Sequence, residues 1–579
     1  MPASPVNPAV WDLGIGPWSY LPAPRCRRSI EFMAVQHLCD SGETLDAALR
    51  SLARTSPSVG VRFPETSKRI DAAALDDAAT RCAAGLLAEG VEPGDLVGLL
   101  MTTTPMFLIN LFGVLRAGAA VTVLPAPSKL SDEPAAARRM RNIVAEAGVH
   151  HVICDPALAE LARKAETPRV LEPPPASSGR ERLPSVAPGD LAIVQFTSGS
   201  TGRPRGVRLH HRTAMAGLRA IVESSALTPA DTLAQWVPLF HDMGLFGLLA
   251  NLLNGSDCHL FSPMGYIRRP GEFLRYFSEH RCSLSTGTSF GYELLLGAVG
   301  PEELAALDLS AWRLAFNGAE PVSASVVREF QERLAPAGVR RSVMYPVYGM
   351  AEATLAISFP RPGDPPATVH IDRDELSRTR RARPVPADEP NAKALVSVGR
   401  PVAGMELRVL DDHGRPCPDG GLGEIQISGP SVMDGYYNDP AATRASFDGE
   451  WFRTGDLGFT RGSDLFIAGR RKEMAIVNGR NFFPEDAEEI ARETPGLYRK
   501  RCVSFADTAP DGREQLCVVV ETKEPECARP ALADQVRARV VRGLGVPAVR
   551  VHVVGARWLT RTTSGKWQRT LAKHRLATE

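Results

Sequence analysis

The chain is 579 residues long, too long for one ordinary domain, and a prior of ~150 residues per domain gives three or four structural units. Its 44% hydrophobic and 23% charged residues are those of a globular protein with a sizeable core. With Lys+Arg at 67 and Asp+Glu at 66, the balance is +1, which lacks the basic excess of a nucleic-acid binder.

Residues 1–42 read as a Pro-containing extension with no apolar core of signal-peptide length. From Thr44 the pattern becomes alternating α/β. Leu45, Ala48, Leu49, Leu52 and Ala53 fall at helical spacing, Leu96 to Leu100 reads as a buried parallel strand, Met106 to Arg116 as the next helix, and Ala119 to Leu124 as the next strand. Repetition of that unit predicts a doubly wound sheet. The apolar stretch from Val97 to Leu124 is broken by Thr102 to Pro105 and by Arg116. It falls short of the ~20 apolar residues a membrane span needs.

Two Pro-rich breaks follow, at 172–190 and 359–394; the second is either an insertion with a role or a flexible loop. Beyond Val396 short strands with Gly turns predict a small β unit. After Arg470 a compact α/β tail begins, with Pro484 as a first helical residue. The ten cysteines form no Cys-x-x-Cys pair and no zinc-spaced cluster, so reduced thiols in a soluble, cytoplasmic protein are expected.

Four strings carry chemistry. Thr197-Ser198-Gly199-Ser200-Thr201-Gly202-Arg203-Pro204-Arg205-Gly206-Val207 follows the apolar strand Leu191 to Phe196. Hydroxyls and glycines in that density make either a plain turn or a loop whose N–H groups converge on phosphate oxygens. It lacks the G-x-x-x-x-G-K-[ST] spacing of a P-loop. Tyr348-Gly349-Met350-Ala351-Glu352-Ala353-Thr354 offers a ring to stack on a base and a carboxylate suited to Mg²⁺. Trp451 to Gly458 contains Asp456 in a Gly turn, suited to ribose hydroxyls. Arg470, in Gly469-Arg470-Arg471-Lys472-Glu473, is suited to a phosphate. Thr562-Thr563-Ser564-Gly565-Lys566 puts one of only nine lysines on a Ser/Gly loop.

In this order and spacing, over residues 44 to 579, these strings resemble the adenylate-forming superfamily. Within it the chain is similar to the fatty acyl-AMP ligases, through Pro238-Leu239-Phe240-His241-Asp242-Met243-Gly244-Leu245, Asn317-Gly318-Ala319-Glu320-Pro321-Val322 and Asn478-Gly479-Arg480-Asn481. The 359–394 stretch sits where those ligases carry an insertion. The resemblance implies a large ATP- and acyl-binding unit over 43–471, built of doubly wound sheets plus a small β unit. A small mobile C-terminal α/β domain over 472–579 would carry the catalytic lysine.

The resemblance further implies a triphosphate against Thr197 to Gly202, and adenine between Tyr348 and the Gly318-Ala319-Glu320 turn. Asn317, Gly349, Met350 and Ala351 would complete the nucleotide site. Glu352 would hold Mg²⁺, Asp456 would bind ribose with Arg470 nearby, and Lys472 would be the hinge. Lys566, with His241 and Glu352, would form the catalytic set. An acyl pocket is expected around Trp236, Phe240, Phe246, Phe290 and Tyr292, although apolar residues there suit plain core packing equally.

The implied reaction activates a carboxylic acid with ATP and passes the acyl group to the phosphopantetheine of a separate acyl carrier protein. An acyl-CoA synthetase and a non-catalytic nucleotide-binding relative are the rival readings. The pattern also has departures. Arg205 stands where a lysine is usual, Glu473 replaces an Asp, and Thr286 to Tyr292 lacks a Pro-Asn-Phe pattern near the acyl tunnel. His241 stands where amino-acid-activating relatives have Asp.

Overall fold

The apolar runs assemble into two mostly parallel sheets. The computed structural model describes residues 38, 43–126, 133–172, 182–197, 204–477, 480–508, 514–546, 548–561 and 567–578. Apart from Leu38, the extension 1–42 therefore lies outside the described residues, as does most of the first Pro-rich break.

The first sheet has seven strands, in the order Met344–Pro346, Leu314–Asn317, Leu284–Gly287, Thr232–Gln235, Asp257–Leu260, Gly60–Phe63 and Lys68–Asp71; only the last pairing is antiparallel. The second has six, in the order Arg169–Leu171, His151–Cys154, Leu96–Leu100, Ala120–Val123, Leu191–Thr197 and Arg205–His210, again antiparallel only at the end. All five residues of Leu96–Leu100 are buried, as expected when helices cover both faces of a parallel sheet.

Helix Leu45–Thr55 opens at Thr44, whose hydroxyl accepts the Ala47 N–H. It buries Leu45, Ala48, Leu49 and Leu52, the stripe expected of a helix lying on a core. Helix Pro105–Arg116 ends on an Arg116 that is 1% exposed. Its guanidinium reaches Asp46 Oδ1 at 2.7 Å through Nε and Asp76 Oδ1 at 2.5 Å, and also donates to the Asp76 carbonyl and Thr80 Oγ1. Three helices are thereby fixed to one buried cation.

Nearby, the Leu45 N–H donates to His211 Nδ1 at 3.2 Å, and burial pushes the His211 pKa down to about 4. Between about pH 4 and 6.5 the unfolded chain binds a proton that the folded chain refuses, so stability is lost as pH falls through that window. Urea unfolding is expected to show about 2 kcal/mol less stability at pH 5 than at pH 7 from this group. His211→Gln should flatten that part of the dependence.

The small β unit is a five-stranded antiparallel sheet built from Glu406–Leu410, Gly423–Ser428, Phe447–Asp448, Trp451–Arg461 and Asp464–Arg470. In the C-terminal region, strands Leu497–Thr508, Glu514–Thr522 and Val549–Gly555 form a sheet. With helices Pro484–Arg492 and Arg529–Leu544 they share an apolar cluster separate from the large core.

The 359–394 stretch is folded rather than loose. Strand Thr368–Asp372 pairs with Ala392–Val396, and between them helix Arg373–Thr379 is capped by Asp372. This element docks on the C-terminal region through charge. Lys393 Nζ lies 2.6 Å from Asp486 Oδ1 with both side chains 5% exposed, Arg373 reaches Glu489 at 3.4 Å, and Arg480 reaches Asp374 at 2.5 Å.

Of the cysteines described, Cys82, Cys154, Cys258, Cys282, Cys502 and Cys517 are buried and unbridged. Burial pushes their thiols up, to about 12 for Cys82, Cys282, Cys502 and Cys517 and about 11 for Cys154. Cys527 is exposed. No described helix is long and apolar enough to cross a membrane.

Candidate active site

In open α/β sheets, ligands lie outside the carboxyl ends of the strands where the strand order reverses. In the first sheet the chain passes from Thr232–Gln235 to Asp257–Leu260 on one side, then crosses to Leu284–Gly287 on the other. The crevice therefore opens between Trp236–His241 and Thr288–Tyr292. The neighbouring strand ends add Asn317 to Glu320 and Tyr348 to Glu352. Thr197 ends a strand of the second sheet.

Three of the residues expected at the nucleotide site, Tyr348, Asp456 and Arg470, meet around one carboxylate. Tyr348 donates its hydroxyl to Asp456 Oδ2 at 2.7 Å, and Arg470 Nε lies 3.1 Å from Asp456 Oδ1. Asp456 and Arg470 are directly opposed on adjacent strands, so the sheet register itself makes this pair. Arg470 is held charged, chiefly by Asp456, while burial and Asp456 push the Tyr348 phenol well above its ordinary value.

Glu352 lies on a short turn after Tyr348-Gly349-Met350, with Ala351 buried beside it. Its Oε1 accepts from the Tyr436 hydroxyl at 3.0 Å, and burial raises its pKa. Gly349 is obligatory, since a Cβ there would fall 1.8 Å from the Leu355 carbonyl oxygen. Arg205 stacks over the Tyr436 ring at 5.2 Å. The arginine found in place of a lysine is thus one tyrosine away from Glu352, and Tyr436 was not among the residues singled out from sequence.

Asn317 is fully buried and accepts from Ser289 Oγ at 3.3 Å. The chain then turns through Gly318, where a Cβ would meet Val347, and through Ala319 at φ 65. Glu320 Oε1 accepts the Phe290 N–H at 2.7 Å, joining this turn to the acyl side of the crevice. His241 caps helix Asp242–Leu253, and its Nδ1 lies 2.6 Å from Asp242 Oδ1. The same Nδ1 accepts the Met243 N–H at 3.3 Å, which is the cap itself.

The aromatic residues expected to line an acyl pocket divide into two groups. Trp236, Phe246 and Tyr292 are buried, with Trp236 stacked on Tyr266 at 4.2 Å and 2°, and Tyr292 donating to the Phe316 carbonyl at 3.0 Å. Gly291 permits this packing, since a Cβ there would fall 2.4 Å from the Trp236 ring. Phe240 and Phe290 are only half-buried.

Ser198, Gly199, Ser200, Thr201, Gly202 and Lys566 lie outside the described residues; Thr197, within them, donates to the Arg205 carbonyl at 3.5 Å. The loop that carries Lys566 has described ends, however. Arg561 and Trp567 form an isolated antiparallel bridge, and the Arg561 guanidinium lies 3.7 Å over the Trp567 ring and 4.4 Å over Phe290. Sequence reading missed Arg561; a cation and an aromatic flanking a Ser/Gly loop were its only signal. Lys472 is exposed in the turn after Arg470, and the adjacent Glu473 pairs with Arg569 at 3.1 Å.

The family described as AMP-binding enzyme matches residues 50–437, and the chain belongs to that family. It is 34% identical over 416 residues to the medium-chain-fatty-acid acyl-carrier-protein ligase TtuA of Teredinibacter turnerae, covering 68% of this chain and 64% of TtuA. It is 31% identical over 525 residues to the ligase of the same description, JamA, of Moorena producens, covering 86% and 88%. A solved chain from work on fatty acyl-adenylate ligases of E. coli and L. pneumophila superposes with a TM-score of 0.85 at 29% identity. It covers 92% of this chain and 98% of its own length.

Proposed function

We propose that this enzyme joins a carboxylic acid, fatty or related, to the AMP portion of ATP, then transfers the acyl group to the phosphopantetheine thiol of a separate acyl carrier protein. In the first step a carboxylate oxygen bonds to the α-phosphorus and pyrophosphate leaves. In the second, the sulfur bonds to the acyl carbon and AMP leaves. The observation that carries the reading is the Tyr348–Asp456–Arg470 cluster beside Glu352, at the mouth of the crevice. The names of TtuA and JamA support the carrier as acceptor and a medium-chain acid as the first class to test.

The carboxylate attack brings two anions together, so cations and N–H donors must stand where charge gathers. Arg205, Arg470 and Lys566 are the cations in this reading, and Thr197 to Gly202 would supply the N–H groups. Asp456 would exchange its present partners for ribose hydroxyls, with Tyr348 and the Gly318-Ala319-Glu320 turn flanking adenine.

Mg²⁺ fits here as an ion shared with the nucleotide. Among the described residues no cluster of three ligands offers it a protein cage, while Glu352 supplies one buried carboxylate oxygen. The ion would neutralise phosphate charge. Lys472 is the proposed hinge, and 472–579 the unit that turns about it.

The decisive experiment is pyrophosphate release from ATP against short, medium, long and aryl acids. Carrier protein and coenzyme A are then offered side by side as acceptors. Release that depends on one acid class supports the ligase; silence across the panel with ATP still bound favours the binding-only relative. Asp456→Asn keeps the shape but removes the charge, so the KM for ATP is expected to rise about 10–100-fold, the worth of one charge-assisted hydrogen bond. An unchanged KM for ATP would remove Asp456 from the nucleotide site.

A further inference from the structure

Residues 472–579 hold 19 Lys and Arg against 14 Asp and Glu, a net charge of +5 in a chain whose whole balance is +1. Part of that excess is gathered at one edge of the C-terminal sheet. Strand Leu497–Thr508 pairs with Glu514–Thr522, but the register jumps between Leu497, opposite Thr522, and Cys502, opposite Val520. Tyr498 to Arg501 therefore bulge out against Glu521. Arg499 and Lys500 sit at φ 52 and 53, both exposed. Left-handed backbone favours glycine, so two consecutive cations there are held against local preference.

The other two strands end at the same edge, because Thr522 is also opposite Gly555. Lys523 follows the middle strand, its Nζ 5.0 Å over the Tyr498 ring, where the Arg499 guanidinium also lies at 5.5 Å. Exposed Arg557 follows the third, again with positive φ, and its N–H donates to the Glu521 carboxylate. Glu521 is buried beneath the bulge and reaches Arg501 at 3.2 Å. The anion is thus used inside, to hold the shape. Of the described surface carboxylates that follow the middle strand, Glu526 pairs with Arg529 at 3.4 Å and Glu524 is exposed.

This rim stands at the root of the Lys566 loop. The chain runs from Arg557 to Arg561, which lies over Phe290 at the crevice, and Arg501 lies 5.4 Å over Trp567. A thiol-bearing partner must approach that crevice, and exposed cations beside it steer an acidic face towards it.

We propose that Arg499, Lys500, Lys523 and Arg557 form the docking rim for an acidic face of the carrier protein. The proposal rests on the carrier reading given above. The test is steady-state thioester formation on purified holo-carrier by the full chain, wild type against Arg499→Gly with Lys500→Gly. Glycine removes both charges while easing the backbone, so folding is protected, and acid-dependent pyrophosphate release should stay within twofold.

The KM for carrier is expected to rise at least tenfold in that variant. The wild type should lose carrier kcat/KM steeply between 50 and 300 mM salt, and the variant should lose far less. Arg499→Lys with Lys500→Arg should behave as wild type. An unchanged carrier KM overturns the proposal. An equal loss with free phosphopantetheine also overturns it, by assigning the cations to the arm's phosphate. Failure of the carrier reading would show earlier and differently, as a wild type that forms acyl-AMP but transfers nothing to carrier.

Discussion

Lys566→Ala is expected to slow acid-dependent pyrophosphate release by about 10²–10³-fold with no change in thermal unfolding midpoint, the cost of deleting one positioned donor to a developing anion. The proposed role has the ammonium touch both the attacking carboxylate and the α-phosphate, whose mutual repulsion rises as they meet. The loop's ends are anchored independently of that residue, by the Arg561–Trp567 bridge and by the two guanidinium groups over Trp567. Truncation inside the loop therefore leaves its anchorage intact. Lys566→Arg should not restore activity, because a planar fork cannot replace a point charge between two oxygens. Release within threefold of wild type, at saturating ATP and acid, would break the assignment.

Arg116→Ala should lower the unfolding free energy by about 3 kcal/mol, the lower end of what removing one partner from a buried ion pair costs. The lower end applies because Arg50 remains 2.6 Å from Asp46. The Asp76 carboxylate and Thr80 Oγ1 would lose the guanidinium, while the Asp76 carbonyl keeps the Thr80 hydroxyl at 2.9 Å. The measurement is the urea midpoint, with Asp76→Asn added to the Arg116→Ala background. Because the second change removes the stranded charge, the double variant should recover part of the loss. A single-variant loss under about 1 kcal/mol would mean water reaches the site and replaces the guanidinium.

The strands and the order of the site strings were legible because their determinants are local. Leu96–Leu100 is a continuous apolar run and Leu191–Phe196 is apolar but for Gln195, and the Ser/Gly string follows the second strand directly in sequence. The 359–394 element was not legible as structure. Its helix is seven residues long and it is held by Arg373, Lys393 and Arg480 pairing with carboxylates about a hundred residues away. No periodicity encodes such contacts.

The aromatic residues show the opposite limit. Composition cannot separate Trp236, which is stacked in the core, from Phe290, which is half-buried at the crevice. Arg205 read as a departure from pattern. Its position over Tyr436 gives it a physical connection to Glu352 that substitution at a single position could not reveal.

The buried cysteines have a chemical consequence for the proposed reaction, which makes a reactive mixed anhydride and delivers its acyl group to a thiol. Self-acylation needs a thiolate, and burial keeps Cys82, Cys154, Cys258, Cys282, Cys502 and Cys517 protonated and out of reach. The acyl group therefore meets no competing sulfur from these positions on its way to the acceptor. Cys527 differs: it is exposed, just ahead of helix Arg529–Leu544 and remote in sequence from the crevice residues. A maleimide dye placed there offers a fluorescent reporter on the C-terminal region that leaves the six buried thiols unlabelled.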